Sequence, residues 1–362
     1  MARNPQKSSR FTCGHQSYHR CPICCIVPPH MLEHVAVNGN PEQRRWAFQT
    51  LNVSAQLRGR RDVVGPISFA PSPGVKRRTI YDAKNSQQLP GTLVRTEGSP
   101  PSGDVSVNEA YDATGATYDF FYEVFERNSI DDKGLRLDST VHYGVKYDNA
   151  FWNGDQMVYG DGDGQLFQRF TKSIDVIAHE LTHGITQYEA SLLYYGESGA
   201  LNESMSDVFG SLVKQKVKNQ TAAEADWIIG EGLLAPGVKG IGIRSMKAPG
   251  TAYNDPVLGK DPQPAYMKDK YTGFEDNAGV HINSGIPNYA FYLAAVEIGG
   301  YAWEKAGKVW YIALRDRLRP KSEFRHAADI TVKVAGELYG VDSKEQKAIK
   351  NAWQKVGVMA KL

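Results

Sequence analysis

The run IDVIAHELTHGIT, residues 174–186, carries His179 and His183 four positions apart, with Glu180 directly after the first. On a helix, residues i and i+4 share a face, so both imidazoles can bind one zinc ion while Glu180 stands beside them to accept a proton from water. The HExxH spacing also occurs on polar helix surfaces, so a further ligand decides the matter. Glu203, in SGALNESMSDVFGSLV with 19 residues between it and His183, is the candidate. Two histidine nitrogens and one carboxylate leave a coordination position open, which hydrolytic zinc sites need and closed structural sites lack. Asp207, one turn past Glu203, and Asn202 are placed to hold the distal ring nitrogens of the two histidines.

The surrounding pattern divides in two. From about 75 to 170, the pieces VKRRTIYDA, TLVRTEG and VHYGVKYDNAFWNG read as strands between Gly, Pro and Asn turns. EAYDATGATYDFFYEVF, 109–125, has apolar residues at three- and four-residue intervals and predicts a helix, with Gly115 as a point of interruption. GDGDG at 160–164 reads as a tight turn; it lacks the twelve-residue register of an EF-hand calcium loop. Helical periodicity then covers 174–190, 200–218, 284–298, 303–314, 324–339 and 344–356, while 255–279 is polar and turn-rich. The expected fold is α+β, with a strand-rich domain at 62–173, a central helix at 174–190 and a mainly helical domain at 191–362. The site belongs in the cleft between the domains.

The chain has 362 residues, 41% of them hydrophobic and 10% aromatic, so it is globular and can bury a sizeable core. Its net charge of +2 makes no whole-chain case for nucleic acid, and no stretch approaches the length of a transmembrane span. Charge is uneven. Residues 1–61 hold nine basic and two acidic side chains, net +7, leaving 33 basic and 38 acidic in the remainder, net −5. The basic run RGRR at 58–61 and the segment through PSPG at 71–74 read as an exposed boundary, so 1–61 is a candidate removable leader.

Taken in order, NAFWNG (149–154), MVYGDGDG (157–164), DVIAHELTHGIT (175–186), the Glu203 segment and GVHINSGIPN (279–288) closely resemble the thermolysin family of zinc metallopeptidases over about residues 75–362. The resemblance implies a zinc-dependent neutral endopeptidase with an apolar P1′ preference, acting on peptides or proteins. It makes His179, His183 and Glu203 the ligands of one zinc ion and Glu180 the general base. Tyr194 and His281 become donors to the developing oxyanion, and Asp276 the partner that orients His281. Asn149 and Arg244 correspond to substrate-backbone contacts, and Phe167, Phe170, Val176, Leu233 and Ile243 to the apolar pocket. The alternative is a thermolysin-like peptide-binding or structural protein with little turnover, especially when unprocessed.

The family's calcium ligands correspond to Asp175, Asp226 and Glu231, but Lys214 and Ile228 stand where carboxylates are expected. A single calcium stays open on this reading and a paired site is not expected, because an ammonium group repels a dication. PPHMLEHVA at 28–36 and the helix predicted after Pro41 resemble the short precursor segments of the protealysin-like branch, which implies an inhibitory propeptide, with self-processing near RGRR. A separate protein inhibitor is a further partner to consider. All four cysteines, Cys13, Cys21, Cys24 and Cys25, lie in this leader. A thiolate of Cys24 or Cys25 in the open zinc position, a second zinc held among Cys13, His15, His19, Cys21 and Cys24, and ordinary thiols or a local disulfide are three readings, the last favoured. The polar start MARNPQKSSR has no apolar signal core. The resemblance favours noncanonical secretion, with a cytoplasmic precursor as the alternative.

Overall fold

The structure, a computed structural model, describes residues 24–61 and 74–360, and in the first stretch the side chains of 25–56. Cys13, His15, His19 and Cys21, and hence the second zinc reading, lie outside the described residues, as does the side chain of Cys24.

The first stretch forms β1 (Cys24–Cys25), α1 (Pro29–Asn38) and α2 (Pro41–Arg61). Pro29 suits the first turn of α1, where its missing N–H would have no intrahelical partner. The RGRR run, which the sequence reads as a flexible boundary, continues α2 to its end; a single glycine does not stop a helix.

The strand-rich half follows as β2 (Arg78–Asp82), β3 (Thr92–Thr96), α3 (Val105–Phe125), β4 (Leu137–Val141), β5 (Ala150–Trp152) and β6 (Met157–Tyr159). The sheet order is β1-β5-β6-β4-β2-β3, with β2, β4 and β6 mutually parallel and the remaining pairs antiparallel. VHYGVKYDNAFWNG is thus not one extended piece. His142, Gly144 and Lys146 have positive φ and turn the chain between β4 and β5. Helix α3 starts earlier than periodicity predicts, at an N-cap where Asp104 accepts from the Ser106 and Val107 amides. Gly115 does not break it. A Cβ there would sit 2.2 Å from Arg78 Nη1, so glycine admits close packing of α3 on β2. GDGDG is a turn, with Asp163 Oδ1 accepting from the Gln165, Leu166 and Phe167 amides and Asp161 pairing with His142.

The second half begins with α4 (Ile174–Tyr188) and α5 (Gly196–Lys218). Residues 175–186 of α4 are all buried, as expected of a helix enclosed on every side. Short pairs β7 (Ile228–Ile229) with β8 (Arg244–Ser245) and β9 (Asn254–Asp255) with β10 (Gly259–Lys260) lead to α6 (Glu275–Asn283), α7 (Gly285–Ile298), α8 (Ala306–Ile312), α9 (Phe324–Tyr339) and α10 (Lys344–Lys355). The helix expected over 303–314 is α8 closed by a π-turn at Ala313–Arg317. One continuous apolar core spans both halves, from Ile80 and Phe121 through Val176 and Leu212 to Trp310 and Trp353. Among the described residues, no helix is long and apolar enough to cross a membrane.

Candidate active site

The close approach of α4 and α5 brings the histidines and Glu203 together. A Cβ on Gly210 of α5 would lie 2.6 Å from Asp175 O and 3.3 Å from His179 N, so only glycine lets the two backbones meet at this depth. Ligating atoms of His179, His183 and Glu203 fall within 4.8 Å of one another, the one such three-residue group among the described residues. All three are buried.

The surroundings fix the histidine tautomers. His179 Nδ1 lies 2.8 Å from Asp207 Oδ1, and His183 Nδ1 lies 2.8 Å from Asn202 Oδ1. Both oxygens are acceptors, so each Nδ1 carries the proton and each Nε2 presents its lone pair inward. The two Nε2 atoms are 3.0 Å apart, and Glu203 oxygens lie 3.5 and 3.4 Å from them. Glu203 Oε2 is buried without a hydrogen-bond partner. Two inward lone pairs and the unpartnered Glu203 Oε2 converging on one point fit a dication, and two nitrogens plus one oxygen form the donor set of a catalytic zinc site. Burial lowers His183 to about 3, keeping its imidazole neutral. Burial alone would raise Glu203, but the nearby histidines and Arg244 hold it below its ordinary value, so it remains anionic.

The other expected residues gather around this triad. Trp152 N donates to Glu180 Oε2 at 3.1 Å, fixing the glutamate beside β5. Tyr194, just before α5, donates to Glu203 Oε1 and lies 3.0 Å from His281 Nε2. His281 is held twice by Asp276, through its backbone N–H to Oδ2 at 2.8 Å and through Nδ1 to Oδ1 at 2.5 Å. Burial would lower His281, but the charges of Asp276 and Glu203 outweigh it and raise the value, favouring the imidazolium. The clamp depends on an unusual backbone: Asp276, Asn277, Ala278 and Gly279 all adopt left-handed φ, a strained turn that precedes the right-handed end of α6.

Asp207 and Arg244 form a buried hub. Arg244 donates to Asp207 from Nε and Nη2, both at 2.8 Å, and Asn288 Nδ2 donates to Asp207 Oδ2 at 2.8 Å. Burial opposes the Asp207 charge, but Arg244 and His179 overcome it and push its value down. The remaining Arg244 nitrogen, Nη1, donates to Ile26 O at 3.1 Å, and Asn149 bonds both backbone groups of Val27. The two expected substrate-backbone residues thus hold the N-terminal stretch of this chain. Phe167, Phe170, Val176, Leu233 and Ile243 are buried in the same apolar cluster as Ile26.

Three features escape the sequence reading: Trp152 N as the anchor of Glu180, Asn288 on Asp207, and Ile26–Val27 as residues in the cleft. Asn288 sits in the otherwise apolar start of α7, where a buried amide needs a polar partner. Cys25 packs with Val53, Tyr143, Tyr147, Phe151 and Val158 and is not in the ligand cluster.

The calcium candidates meet lysines. Lys214 Nζ lies 3.0 Å from Asp175 Oδ2, 2.7 Å from Asp226 Oδ1 and 2.5 Å from Ile228 O, while Lys218 pairs with Glu231 at 2.8 Å. Burial opposes the Lys214 charge, but the two aspartates outweigh it and raise its value.

Comparison with known proteins agrees with this geometry. The thermolysin metallopeptidase catalytic domain matches residues 74–187, and its alpha-helical domain matches 190–358. An extracellular metalloprotease of Pectobacterium carotovorum subsp. carotovorum is 52% identical over 93% of this chain and 97% of its own length. Protease PrtS of Photorhabdus sp. is 50% identical over 93% of this chain and 92% of its own. The solved precursor of protealysin, a metalloproteinase from Serratia proteamaculans, is 55% identical, with a TM-score of 0.85 over 93% of this chain and 100% of that one. With both family domains matched in succession over residues 74–187 and 190–358 and the zinc triad assembled between α4 and α5, the chain belongs to the thermolysin family of zinc metallopeptidases.

Proposed function

We propose that this chain is the precursor of a zinc-dependent neutral endopeptidase, with residues 1–61 acting as its inhibitory propeptide. The observation that carries the reading is the buried His179–His183–Glu203 triad with Glu180 beside it and the chain's own backbone lying across the cleft.

When bound by the triad, zinc supplies Lewis acidity toward water and the scissile carbonyl. Glu180 takes a proton from the attacking water and delivers it to the departing amine. The raised His281, oriented by Asp276, and the Tyr194 hydroxyl donate to the oxygen on which negative charge grows. Asn149 and Arg244 hold the substrate backbone, and Phe167, Phe170, Val176, Leu233 and Ile243 form an apolar P1′ pocket in this reading. Removing apolar surface from water there contributes about 25 cal/mol per Å², which favours Leu, Ile or Phe over small polar side chains.

The named extracellular relative supports a secreted enzyme, and the protealysin precursor supports a latent form. Lys214, placed between Asp175 and Asp226, supports replacement of a calcium ion by an internal ammonium. The test is Glu180→Gln: zinc content stays at one per chain while turnover of a peptide with apolar P1′ falls by about 100- to 10,000-fold, the range of general acid–base catalysis. Equal turnover by both zinc-loaded proteins would overturn the assigned base, and negligible turnover by activated wild type would favour the peptide-binding alternative.

A further inference from the structure

The stretch Cys25–Val27 lies in the cleft with the polarity of a β-strand antiparallel to β5, Cys24 opposite Trp152 and Cys25 opposite Phe151. Its backbone groups are met in succession. Ile26 N donates to Ala150 O at 3.3 Å, and Arg244 Nη1 donates to Ile26 O at 3.1 Å. Val27 N donates to Asn149 Oδ1 at 3.0 Å, and Asn149 Nδ2 donates to Val27 O at 3.2 Å. One step upstream, Cys25 O lies 3.2 Å from His281 Nε2, beside the Tyr194 hydroxyl. The carbonyl that reaches the oxyanion donors is therefore that of Cys25. Glu180 is held by the N–H of Trp152, the β5 residue next to the Phe151 that Cys25 faces.

Resting on the endopeptidase reading above, we infer that this stretch is bound as a substrate in register, and that the enzyme hydrolyses its own Cys25–Ile26 bond intramolecularly. The water oxygen bonds to the Cys25 carbonyl carbon, the Cys25–Ile26 C–N bond breaks, and both water protons pass by way of Glu180 to the Ile26 nitrogen. A carboxylate remains on Cys25 and an ammonium on Ile26. The side chains fit this register. Ile26 is buried in the apolar cluster that includes Phe170 and Leu233, and Cys25 packs beside Tyr147 and Phe151. The site thus selects a β-branched apolar residue after the cleaved bond and a small one before it.

This cut does not free the cleft. Downstream of Ile26, the chain stays anchored through His34 to Val257 O, Asn40 to Gln165, Thr50 to Asp148 N and Ser54 to Tyr147. A chain nicked at 25–26 remains latent, and full activity requires a second cut after α2. The nick is the product state of a tethered substrate.

The full-length zinc-loaded chain is incubated over a hundredfold range of protein concentration and followed by intact-mass spectrometry and N-terminal sequencing, with casein hydrolysis in parallel. The expected result is a new N-terminus at Ile26, formed at a rate independent of concentration, before casein hydrolysis rises, and absent in Glu180→Gln. In the Glu180→Gln chain, Ile26→Asp should speed amide exchange of residues 24–27 at least tenfold while α4 and α5 stay protected, a readout that needs no turnover. A preparation that gains casein hydrolysis with the 25–26 bond intact, or that forms Ile26 termini in proportion to protein concentration, overturns this inference alone. A preparation that cuts neither casein nor itself overturns the endopeptidase reading instead. Unchanged exchange in Ile26→Asp contradicts the docked register.

Discussion

Asp207 accepts from three side chains at once: His179, both forks of Arg244, and Asn288. It fixes the tautomer of one zinc ligand and neutralises the guanidinium that holds the peptide backbone. Asp207→Asn keeps the shape but removes the charge, leaving Arg244 buried without its counter-ion and weakening the hold on His179. Zinc affinity should fall about 10- to 100-fold, the usual cost of losing such an outer contact, as read by competition with a chromophoric chelator. Affinity unchanged within a factor of two would show that Asn202 and the remaining packing suffice. At this scale the sequence was informative where residue type and spacing dictate chemistry: the histidines, Glu180, Glu203, Asn202 and Asp207 are found where a helix period puts them. Asn288 was not, because its partner is 81 positions away and nothing local ties the two.

Helix α1 fastens the leader to the helical half through His30, whose Nε2 lies 3.2 Å from the Tyr253 hydroxyl while its shielded Nδ1 bonds to no protein group. Burial lowers its pKa to about 4; Asp276 opposes the shift, and His281, Arg244 and His34 add to it. A released leader exposes His30 with an ordinary value near 6.5, so the released state binds the extra proton between these limits. His30 therefore imposes no penalty on docking above about pH 6.5, and the penalty grows as pH falls toward 4. Glu33, raised by burial and by Glu275 and Asp276, works in the opposite direction, around the carboxylate range. The protection of α1 amides, taken relative to the intrinsic exchange rate at each pH, should fall between pH 6.5 and 5 in the wild type, and that step should vanish in His30→Gln. An identical pH profile in both would remove His30 from the account.

Lys214 anchors α5 to the loop before β7 as a buried cation between two carboxylates. Lys214→Met strands Asp175 and should destabilise the chain by about 3–5 kcal/mol in denaturant titration, the cost of breaking a buried pair. A loss under 1 kcal/mol would mean that Ser173 and Gly230, which also bond Asp175, satisfy it alone. Most helices were legible from apolar periodicity. The left-handed turn at Asp276–Gly279 was not, because three non-glycine residues there adopt φ > 0 against local preference, held by the Asp276 clamp on His281.

Across the whole molecule, the net charge of +2 combines a leader of net +7 with a body of net −5. Opposite charge favours their association at low salt. Position comes from short-range contacts, since residues between Cys25 and Ser54 touch Asn149, Gln165 and Tyr147 on one side of the cleft and Arg244, Tyr253, Val257 and His281 on the other. The uneven charge along the chain could be read from composition. The extra strand at the sheet edge could not, because β1 has two residues and pairs with β5 more than a hundred positions away. The measurement that tests the central claim most directly is the rate of hydrolysis of one apolar-P1′ peptide by the same zinc-loaded preparation before and after removal of residues up to 61, with zinc counted in both. A leader lying in the cleft predicts at least a hundredfold rise at unchanged zinc content; equal rates before and after would contradict it.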